Sequence, residues 1–536
     1  MNYSFFMNSV IDITEFIFLT GRKVRMNKIK KRLDDFYGIS KNNSSFRVEI
    51  IAGIATFLAM AYILIVNPNS ILYTGADNPV WTSLFIATAF GAIIGTLLMS
   101  VYAKMPFAQA SGMGLNSTLG MVIGGGVGAY GYTYNYSLAN GLLLVLISGV
   151  VFLFLSIVPI GKNKETNALI TLREKIFDGM PNCIKKSIPV GIGLFIAFIG
   201  LQNAKIINSN EFVLLELVDF TKIFTGSLKD ADGNLYNYTY ALTCLIGFIS
   251  ICILSHYKVK GAVILGVFIA TIASIPLGVA NFDVLLGKTS GITWKFWENL
   301  GTYFGENGLF IKALTEGWNF PAESILTSIM LVITFAMIDM FDTMGTVVGC
   351  ATNAGLIDEN GKPLNYNRIM VSDSIATVTG AIIGTSTVTT FVESGAGVAA
   401  GGKTGFSSLV TAILFLLSIF LIPLFAFIPS SAAACALIYV GVLMMGNVVN
   451  IDFKDVRNAS VSFLTIITMV LAYSITKGIG IGVIAYVVIN LISYLVDLIK
   501  YWSNKSKYEK PKFEISIVSL VVFALFIVYF TVPTVL

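Results

Sequence analysis

Long apolar stretches alternate with short polar ones along nearly the whole chain. Two of them, IIAGIATFLAMAYILIV and ALTCLIGFISICIL, contain very few polar side chains. A helix of about 20 residues crosses the roughly 30 Å hydrocarbon layer of a bilayer. The pattern predicts two series of seven spans, a polar connection at 282–321 between them and a last apolar segment at 513–533. The spans lie near 50–68, 82–104, 116–130, 139–160, 187–202, 239–255 and 262–281, and then near 322–350, 370–384, 393–401, 406–428, 429–446, 460–475 and 478–500.

The two series share a motif at the same rank. PFAQASGMGLNS and TTFVESGAGVAA each carry an aromatic residue followed by Ser-Gly-x-Gly, and each belongs to the third segment of its series. Both segments include a glycine-rich stretch, MVIGGGVGAY or SGAGVAAGG, that is too short to cross a bilayer. An odd number of spans per repeat inverts the second copy. Transporters built from inverted repeats bind substrate at mid-membrane, where broken helices meet.

The residues before each short helix are predicted to be extended. The run from Val388 to Val392 is rich in β-branched residues. Extended backbone in lipid leaves N–H and C=O groups without partners, so residues 107–111 and 387–391 are expected to pair with each other. The predicted fold class is an all-α polytopic membrane protein of ~14 transmembrane segments. It is a 7+7 inverted repeat with two short antiparallel strands in spans 3 and 10 and an extra C-terminal hydrophobic segment.

Composition and charge agree with a membrane protein. Of the 536 residues, 55% are hydrophobic and 12% charged, about half the charged share of a soluble protein. The net charge of +5 does not indicate nucleic-acid binding, because the basic residues cluster before the first span and near 162–186 and 500–512. The positive-inside rule places these clusters and the N-terminus in the cytoplasm, with the protein in the inner (plasma) membrane. Residues 1–25 precede a start-like Met26 and are interpreted as an extension or a misassigned start.

Two familiar chemistries are excluded by the sequence. GVAAGGKT, residues 397–404, fits the G-x-x-x-x-G-K-T string of a phosphate-binding loop, but no polar segment is long enough for the soluble domain that such a loop requires. Its small residues are interpreted as allowing close packing of a short helix, with Lys403 at the cytoplasmic end. Five scattered cysteines and a single histidine, His256, predict neither disulfides nor a metal, and no cofactor is expected.

Three acidic residues lie at predicted membrane depth. Glu393 lies between the β-prone run and a helix start, and Asp339 and Asp342 lie in the eighth span, which has no basic residue. Ionisable groups buried in a membrane are functional candidates by default. A spacing of three puts both aspartates on one helical face, where two uncompensated acids favour proton binding. The alternatives are that Glu393 only caps the helix and that one aspartate only bonds a neighbouring helix.

Polar and aromatic residues of the two motifs complete the candidate site. Asn116 offers a donor and an acceptor in an apolar span, and an aromatic ring two residues before Glu393 can stack on a flat ligand. Packing or helix-bridging hydrogen bonds are the alternative for each. Substrate contacts are predicted for Glu393, Asp342, Asn116, Phe391, Phe107, Ala108, Gln109, Ser111 and Thr390, and proton coupling for Asp342, Glu393 and Asp339.

This set of groups suits a planar solute with several N–H donors, and nucleobases fit well. An anion fits poorly, because no Arg or Lys lies near the acids in the sequence. A metal cation fits only if the aromatic residues have no role.

Four motifs, FLAMAYILIVNP, GMGLNS, FDTMGT and TTFVESGAGVAAGGKTG, together resemble the nucleobase:cation symporter-2 superfamily over about residues 46–500. The resemblance is specifically to AzgA-like guanine/hypoxanthine/adenine permeases of the xanthine/uracil permease fold. It implies a core, substrate-binding domain and a gate domain. The implied division is a cytoplasmic basic segment at 1–46, the core at 47–160 and 322–428, the gate at 187–281 and 429–500, an extracytoplasmic connection at 282–321, and a basic loop with an extra apolar segment at 501–536.

The same resemblance implies the function. Glu393 and Asp342 match the family's substrate-contacting acids, Asp339 a further essential acid and Asn116 the polar residue of span 3. The chain is expected to import adenine, guanine and hypoxanthine by proton symport, through an elevator-type movement of core against gate, and not to be an enzyme. Gln-Ala-Ser at 109–111 departs from the apolar-Ala-Pro run that relatives often have, which leaves the purine preference open. Dimers are common in this fold family, so a homodimer is one assembly that it allows.

Two rival functions stay open from the sequence. One is a same-fold transporter of xanthine, uracil or an anion. The other is an intramembrane enzyme that uses the aspartates as acid and base or as metal ligands, of which the string DMFD is a weak sign. The expected partners are a purine nucleobase, a proton and the lipid bilayer.

Overall fold

The computed structural model describes most of the chain. It covers residues 29–72, 76, 78–123, 136–162, 169–210, 214–225, 227–230, 233–259, 261–286, 292–306, 308–320, 325–357, 363–503, 509–513 and 515–531. The proposed extension at 1–25 and most of the glycine-rich stretch MVIGGGVGAY lie outside the described residues.

Helices of the first half follow the predicted spans closely. α1 covers residues 29–37. It is followed by α2 (Phe46–Met60), α3 (Ile63–Leu72), α4 (Trp81–Leu98) with a π-helical continuation (Met99–Ala103), α5 (Met113–Val122), α6 (Leu138–Ile157), α7 (Leu172–Gly179), α8 (Asn182–Asn203), α9 (Asn237–His256) and α10 (Ala262–Ser274). The last of these ends earlier than the predicted 281, because the chain turns after Ser274 and Gly278 adopts a left-handed φ of 72°.

Helices of the second half begin inside the connection at 282–321, which is partly helical. The series is α11 (Phe282–Leu285), α12 (Phe296–Phe304), α13 (Lys312–Thr315), α14 (Ile325–Ala354), α15 (Tyr366–Ile383), α16 (Ser394–Ala399), α17 (Gly405–Ser418), α18 (Ile422–Ala426), α19 (Ser430–Met445), α20 (Val456–Leu471), α21 (Ile475–Ser503) and α22 (Ile517–Thr531). Short 3₁₀ segments occur at Phe220–Thr225, Ile419–Leu421 and Gly446–Asn450.

Nine helices in the described part of the chain are long and apolar enough to cross a membrane. They are Phe46–Leu72, Trp81–Ala103, Leu138–Ile157, Asn182–Asn203, Asn237–His256, Thr327–Val348, Gly405–Ala426, Ser430–Asn450 and Lys477–Ser503. Shorter apolar helices occur at Ala262–Ser274, Val456–Leu471 and Ile517–Val528. The predicted multi-pass helical fold is confirmed, whereas the count of fourteen spans stays a prediction.

The first span is interrupted near its middle. Between α2 and α3, the amides of Leu64 and Ile65 bond to carbonyls three residues back, at Ala61 and Tyr62. Such 3₁₀-type bonds are tighter than the α-helical pattern and change the direction of the chain locally. The interruption places the side chain of Tyr62 in the interior, where it is fully buried.

Two short strands from opposite halves of the chain meet in the interior and form a two-stranded sheet, the strand crossing. β1 (Gln109–Ser111) pairs antiparallel with β6 (Val388–Thr390). The pairing is extended by the Gly112 amide, which donates to the Thr387 carbonyl at 2.9 Å, and by the Phe391 amide, which donates to the Ala108 carbonyl at 3.0 Å. The predicted pairing of residues 107–111 with 387–391 is therefore confirmed, and it satisfies backbone groups that lipid could not.

Two β-hairpins, which the sequence pattern did not indicate, complete the secondary structure. β2 (Pro159–Lys162) pairs with β3 (Leu169–Thr171), and β4 (Ile207–Asn210) pairs with β5 (Leu214–Leu217). The first hairpin follows α6, and the second lies between α8 and α9.

The long helices pack in two groups. In the first group, α2 and α4 pack on α17, and α15 packs on α4 and α6, around the crossing strands. In the second group, α8 packs on α19 and α20, α9 on α10 and α19, and α20 on α21. Contacts between the groups are made by α3 with α19, by α10 with α2, and by α8 with α5 and α14.

We expect Gly397→Ala to destabilise the protein. A Cβ at this position would lie 2.1 Å from the Thr56 hydroxyl and 2.8 Å from the Ala52 carbonyl, because α16 crosses α2 there. Overpacking of this kind costs about 1–3 kcal/mol. Thermal unfolding of the purified protein measures the effect, with Gly395→Ala on the same helix as the control, since a Cβ there meets no atom within 4 Å. Equal melting temperatures for the two variants would contradict the packing role of Gly397.

Candidate functional site

Glu393 is positioned by the end of β6 and the start of α16. It is the N-cap residue of α16, but its side chain makes no capping hydrogen bond. Its Oε1 instead accepts a hydrogen bond from the Tyr62 hydroxyl at 2.5 Å, while Oε2 is buried without a hydrogen-bond partner. The predicted helix start at Glu393 is confirmed, and the carboxyl group bonds to Tyr62 rather than to the amides of the helix.

A cavity of about 300 Å³ lies beside Glu393, between the two groups of helices. From the first group it is lined by residues of α5, α14, β6 and α16. From the second it is lined by apolar residues of α8 and α19 and by Asn447 of the following 3₁₀ segment. Its lining residues are Met113, Gly114, Asp342, Thr346, Cys350, Thr389, Thr390, Phe391, Val392, Glu393 and Gly395 on one side, and Pro189, Ile192, Ile196, Val440, Leu443, Met444 and Asn447 on the other. Two carboxyl groups and an aromatic residue thus share one cavity, and no Lys or Arg is among these lining residues.

The two aspartates of α14 have different surroundings. Asp342 lines the cavity. Asp339 does not; it is 1% exposed, and its Oδ2 lies 2.8 Å from the Thr377 hydroxyl on α15, while its Oδ1 has no hydrogen-bond partner. Although they lie within one turn of α14, Asp342 faces the cavity and Asp339 faces α15.

A further acid, Asp373 of α15, holds the strand crossing together. It is fully buried, and its Oδ1 accepts from the Gln109 amide nitrogen Nε2 at 2.8 Å and from the Thr390 backbone N–H at 3.0 Å. Its Oδ2 accepts from the Thr343 hydroxyl on α14 at 2.6 Å. One carboxyl group thus joins β1, β6, α14 and α15.

The other residues that were predicted to contact substrate do not line the cavity. Gln109 bonds to Asp373, the Ser111 hydroxyl lies 2.6 Å from that of Thr385, and the Asn116 side chain accepts from the Ser386 hydroxyl. The Ala108 amide donates to the Ser394 hydroxyl at 3.0 Å, and Phe107 is fully buried. The structure therefore brings Glu393, Asp342, Phe391 and Thr390 together at the cavity and places the β1 residues in the crossing that supports it.

Three residues at the site did not come from sequence reasoning. Asp373 lies in the predicted span 370–384, and the rule applied to the other buried acids would have selected it. Thr346, one turn after Asp342, lines the cavity without any sequence signal beyond its spacing. No feature of the sequence pointed to Tyr62, because its contact with Glu393 depends on the interruption between α2 and α3.

The backbone amides at the end of the GVAAGGKT string donate hydrogen bonds to a carboxylate of the same chain. Glu49, fully buried in the first turn of α2, accepts from the backbone N–H groups of Lys403 and Thr404 at 3.1 and 3.4 Å and from the Ser44 hydroxyl at 2.7 Å. Amides that would bind phosphate in a nucleotide loop thus join two helices. The interpretation of this string as packing rather than nucleotide binding agrees with these contacts.

The chain resembles known permeases over most of its length. A family described as "Permease family", the xanthine/uracil permeases, matches residues 47–481. A guanine/hypoxanthine permease of Bacillus subtilis is 35% identical over 84% of this chain and 93% of its own length. An adenine permease of Escherichia coli is 31% identical over 86% of this chain and 90% of its own length.

Solved structures show the same architecture. The transmembrane domain of a cyanobacterium bicarbonate transporter, BicA, superposes with a TM-score of 0.55 at 15% identity, over 83% of this chain and 98% of that one. At this level of identity the likeness concerns the fold and not the transported solute.

Proposed function

The chain belongs to the xanthine/uracil permease family, also called the nucleobase:cation symporter-2 family, and from this membership we propose that it imports adenine, guanine and hypoxanthine in symport with protons. As a permease it is a multi-pass membrane transporter and not an enzyme. The observation that carries the proposal is the cavity that Glu393, Asp342 and Phe391 line together.

The chemistry of this cavity suits a neutral purine. Carboxyl oxygens accept the N–H groups of the base, and the aromatic ring can stack on its face. The volume of about 300 Å³ is at the small end of the range for ligand pockets, roughly 300–1,000 Å³, which favours a free base over a nucleotide. An anion would meet two carboxyl groups and no lining Lys or Arg, so the rival anion transporter is disfavoured.

Proton coupling is assigned to Asp339, Asp342 and Glu393. The Thr377 hydroxyl lies 2.8 Å from Asp339 Oδ2 and 3.3 Å from the Val388 carbonyl oxygen. A hydroxyl has a single proton to donate. The carboxyl oxygen is the nearer acceptor, so Thr377 donates to Asp339 while this acid is ionised. Once Asp339 is protonated, the same hydroxyl can donate to the Val388 carbonyl of the strand that forms the cavity wall. Protonation at this acid would then be linked to the position of β6.

Transport is proposed to follow an elevator-type mechanism. The core domain, residues 47–160 and 322–428, contains β1, β6 and the acids Asp339, Asp342, Asp373 and Glu393. The gate domain, residues 187–281 and 429–500, contributes a mainly apolar cavity wall. An apolar wall makes few directional bonds to the substrate, so a core domain carrying substrate can slide along it at low cost. We place the protein in the plasma membrane with the N-terminus and the basic segments at 1–46 and 501–512 in the cytoplasm, and the connection at 282–321 outside.

Uptake in cells that lack their own nucleobase carriers tests the proposal. Radiolabelled adenine, guanine, hypoxanthine, xanthine and uracil are supplied separately, with and without a protonophore. We expect accumulation of the first three, and we expect the protonophore to reduce it to the level of cells without the protein. Absence of purine accumulation would refute the substrate assignment. Accumulation that is indifferent to the proton gradient would refute the coupling alone.

A further inference from the structure

Tyr62 reaches Glu393 from behind the cavity. Its side chain is fully buried at the interruption between α2 and α3, and it is not among the residues that line the cavity. Its hydroxyl donates to Glu393 Oε1 at 2.5 Å and lies 3.6 Å from the Met113 sulfur. A hydroxyl has one proton, and the carboxyl oxygen is the nearer and stronger acceptor. The phenol is therefore committed to Glu393.

This bond makes the two carboxyl oxygens of Glu393 unequal as acceptors. A carboxylate has two oxygens and can accept two parallel N–H bonds, as it does from arginine. In this protein Oε1 is already bonded to Tyr62, whereas Oε2 is buried and lacks a partner. Each carboxylate oxygen has two lone pairs, so Oε1 can still accept a second bond, but one of its lone pairs is already used by the Tyr62 hydroxyl. Oε2 is thus the oxygen whose full accepting capacity is left for a ligand.

We propose that Tyr62 is a specificity-determining residue that makes Oε2 of Glu393 the main acceptor for an N–H of the bound purine and weakens Oε1 as a second acceptor. The inference rests on the proposed purine transport and extends it to the substituent at the 2-position of the base. Tyr62 acts through Glu393, so it is a positioning residue and does not itself touch the substrate.

Purines differ in the edge that they present to a carboxylate. Guanine has a ring N–H beside an exocyclic amino group, which gives two parallel donors like those of a guanidinium. Hypoxanthine has the ring N–H without the neighbouring amino group. With one lone pair of Oε1 used by Tyr62, the amino group of guanine gains only a weakened bond from Glu393. With Oε1 free, guanine can form a strong two-point contact that hypoxanthine cannot form.

The variant Tyr62→Phe tests this inference. Uptake of radiolabelled hypoxanthine is measured in competition with unlabelled guanine and unlabelled hypoxanthine, and the two inhibition constants are compared as a ratio. We expect the preference for guanine over hypoxanthine to rise by a factor of about 3 to 10, because one hydrogen bond to a charged group becomes stronger. A change in protein amount or in transport rate cancels in this ratio.

Tyr303→Phe is the matched control. Tyr303 is also buried and also gives its hydroxyl proton to one acceptor, the Ile383 carbonyl at 2.7 Å, but it is not a lining residue of the cavity. Its ratio should equal that of the unmodified protein. If Tyr62→Phe does not reach the membrane, Tyr62→Leu replaces it, because this variant also lacks the hydroxyl.

The outcomes separate the two proposals. A selective gain for guanine supports the role of Tyr62. Equal changes for guanine and hypoxanthine would show that Tyr62 only stabilises the fold, and the inference would be wrong while purine transport stands. Failure of the unmodified protein to take up any purine would overturn the proposed function and this inference together.

Discussion

Glu393→Gln is expected to reduce purine uptake by about 10- to 100-fold with little change in thermal stability. The amide oxygen can still accept the Tyr62 hydroxyl, so the internal contact at 2.5 Å can be kept. The amide nitrogen then takes the place of Oε2 and presents a donor where a purine N–H needs an acceptor. Loss of a hydrogen bond to a charged group costs about 1.5–3 kcal/mol, which gives the expected factor.

Initial rates of hypoxanthine uptake and melting temperatures of the purified protein measure the two effects. Glu298→Gln is the control, because Glu298 is an exposed glutamate in an ion pair with Lys295, far along the chain from the cavity residues. The control should transport like the unmodified protein. Full transport by Glu393→Gln would remove Glu393 from the substrate site.

Asp373→Asn is expected to lower stability and uptake together. The Asp373 carboxyl group receives bonds from Gln109, Thr390 and Thr343, and the amide variant would turn an NH₂ group towards some of these donors. Loss of charged acceptors at a fully buried position costs about 2–4 kcal/mol in the free energy of unfolding. Uptake falls as well, because Thr390 lines the cavity and loses the bond that fixes it.

Thermal unfolding and uptake of this variant are compared with those of Asp497→Asn, in which an exposed aspartate paired with Lys500 is changed in the same way. The surface variant should match the unmodified protein in both measurements. An Asp373→Asn protein that melts normally but does not transport would mean that Asp373 acts on substrate or proton rather than on the strand crossing. The two variants together thus test whether Glu393 binds the substrate and whether Asp373 stabilises the strand crossing.

The sequence predicted the structure best where a local pattern is compatible with only one arrangement of the backbone. Extended residues such as Thr389 and Ala110 at membrane depth need backbone partners, and each strand is the other's only counterpart in the two repeats. The pairing and the helix start at Glu393 could therefore be predicted before any coordinates were known. The cost of burying a charge in a membrane also made the Glu393 carboxyl group a functional candidate.

Side-chain direction was harder to predict, because it depends on which helix lies opposite. Asp339 and Asp342 are three residues apart, yet α15 faces one and the cavity faces the other. Gln109 was expected to contact substrate, but its donor group bonds to Asp373, 264 residues away in the sequence. The contact of Tyr62 with Glu393 spans 331 residues and requires a helix interruption that the apolar pattern of the first span does not reveal.

The pairing of β1 with β6 also determines when the cavity can form during biosynthesis. Gln109 precedes its strand partner Thr390 by 281 residues. At a translation rate of about 5–20 residues per second, β1 leaves the ribosome on the order of tens of seconds before β6 exists. During this interval the nascent first half lacks the donors and acceptors that its strand requires in lipid. The cavity is therefore assembled after both halves have been inserted, and a truncated chain ending before β6 lacks Glu393 and the β6 side of the cavity wall.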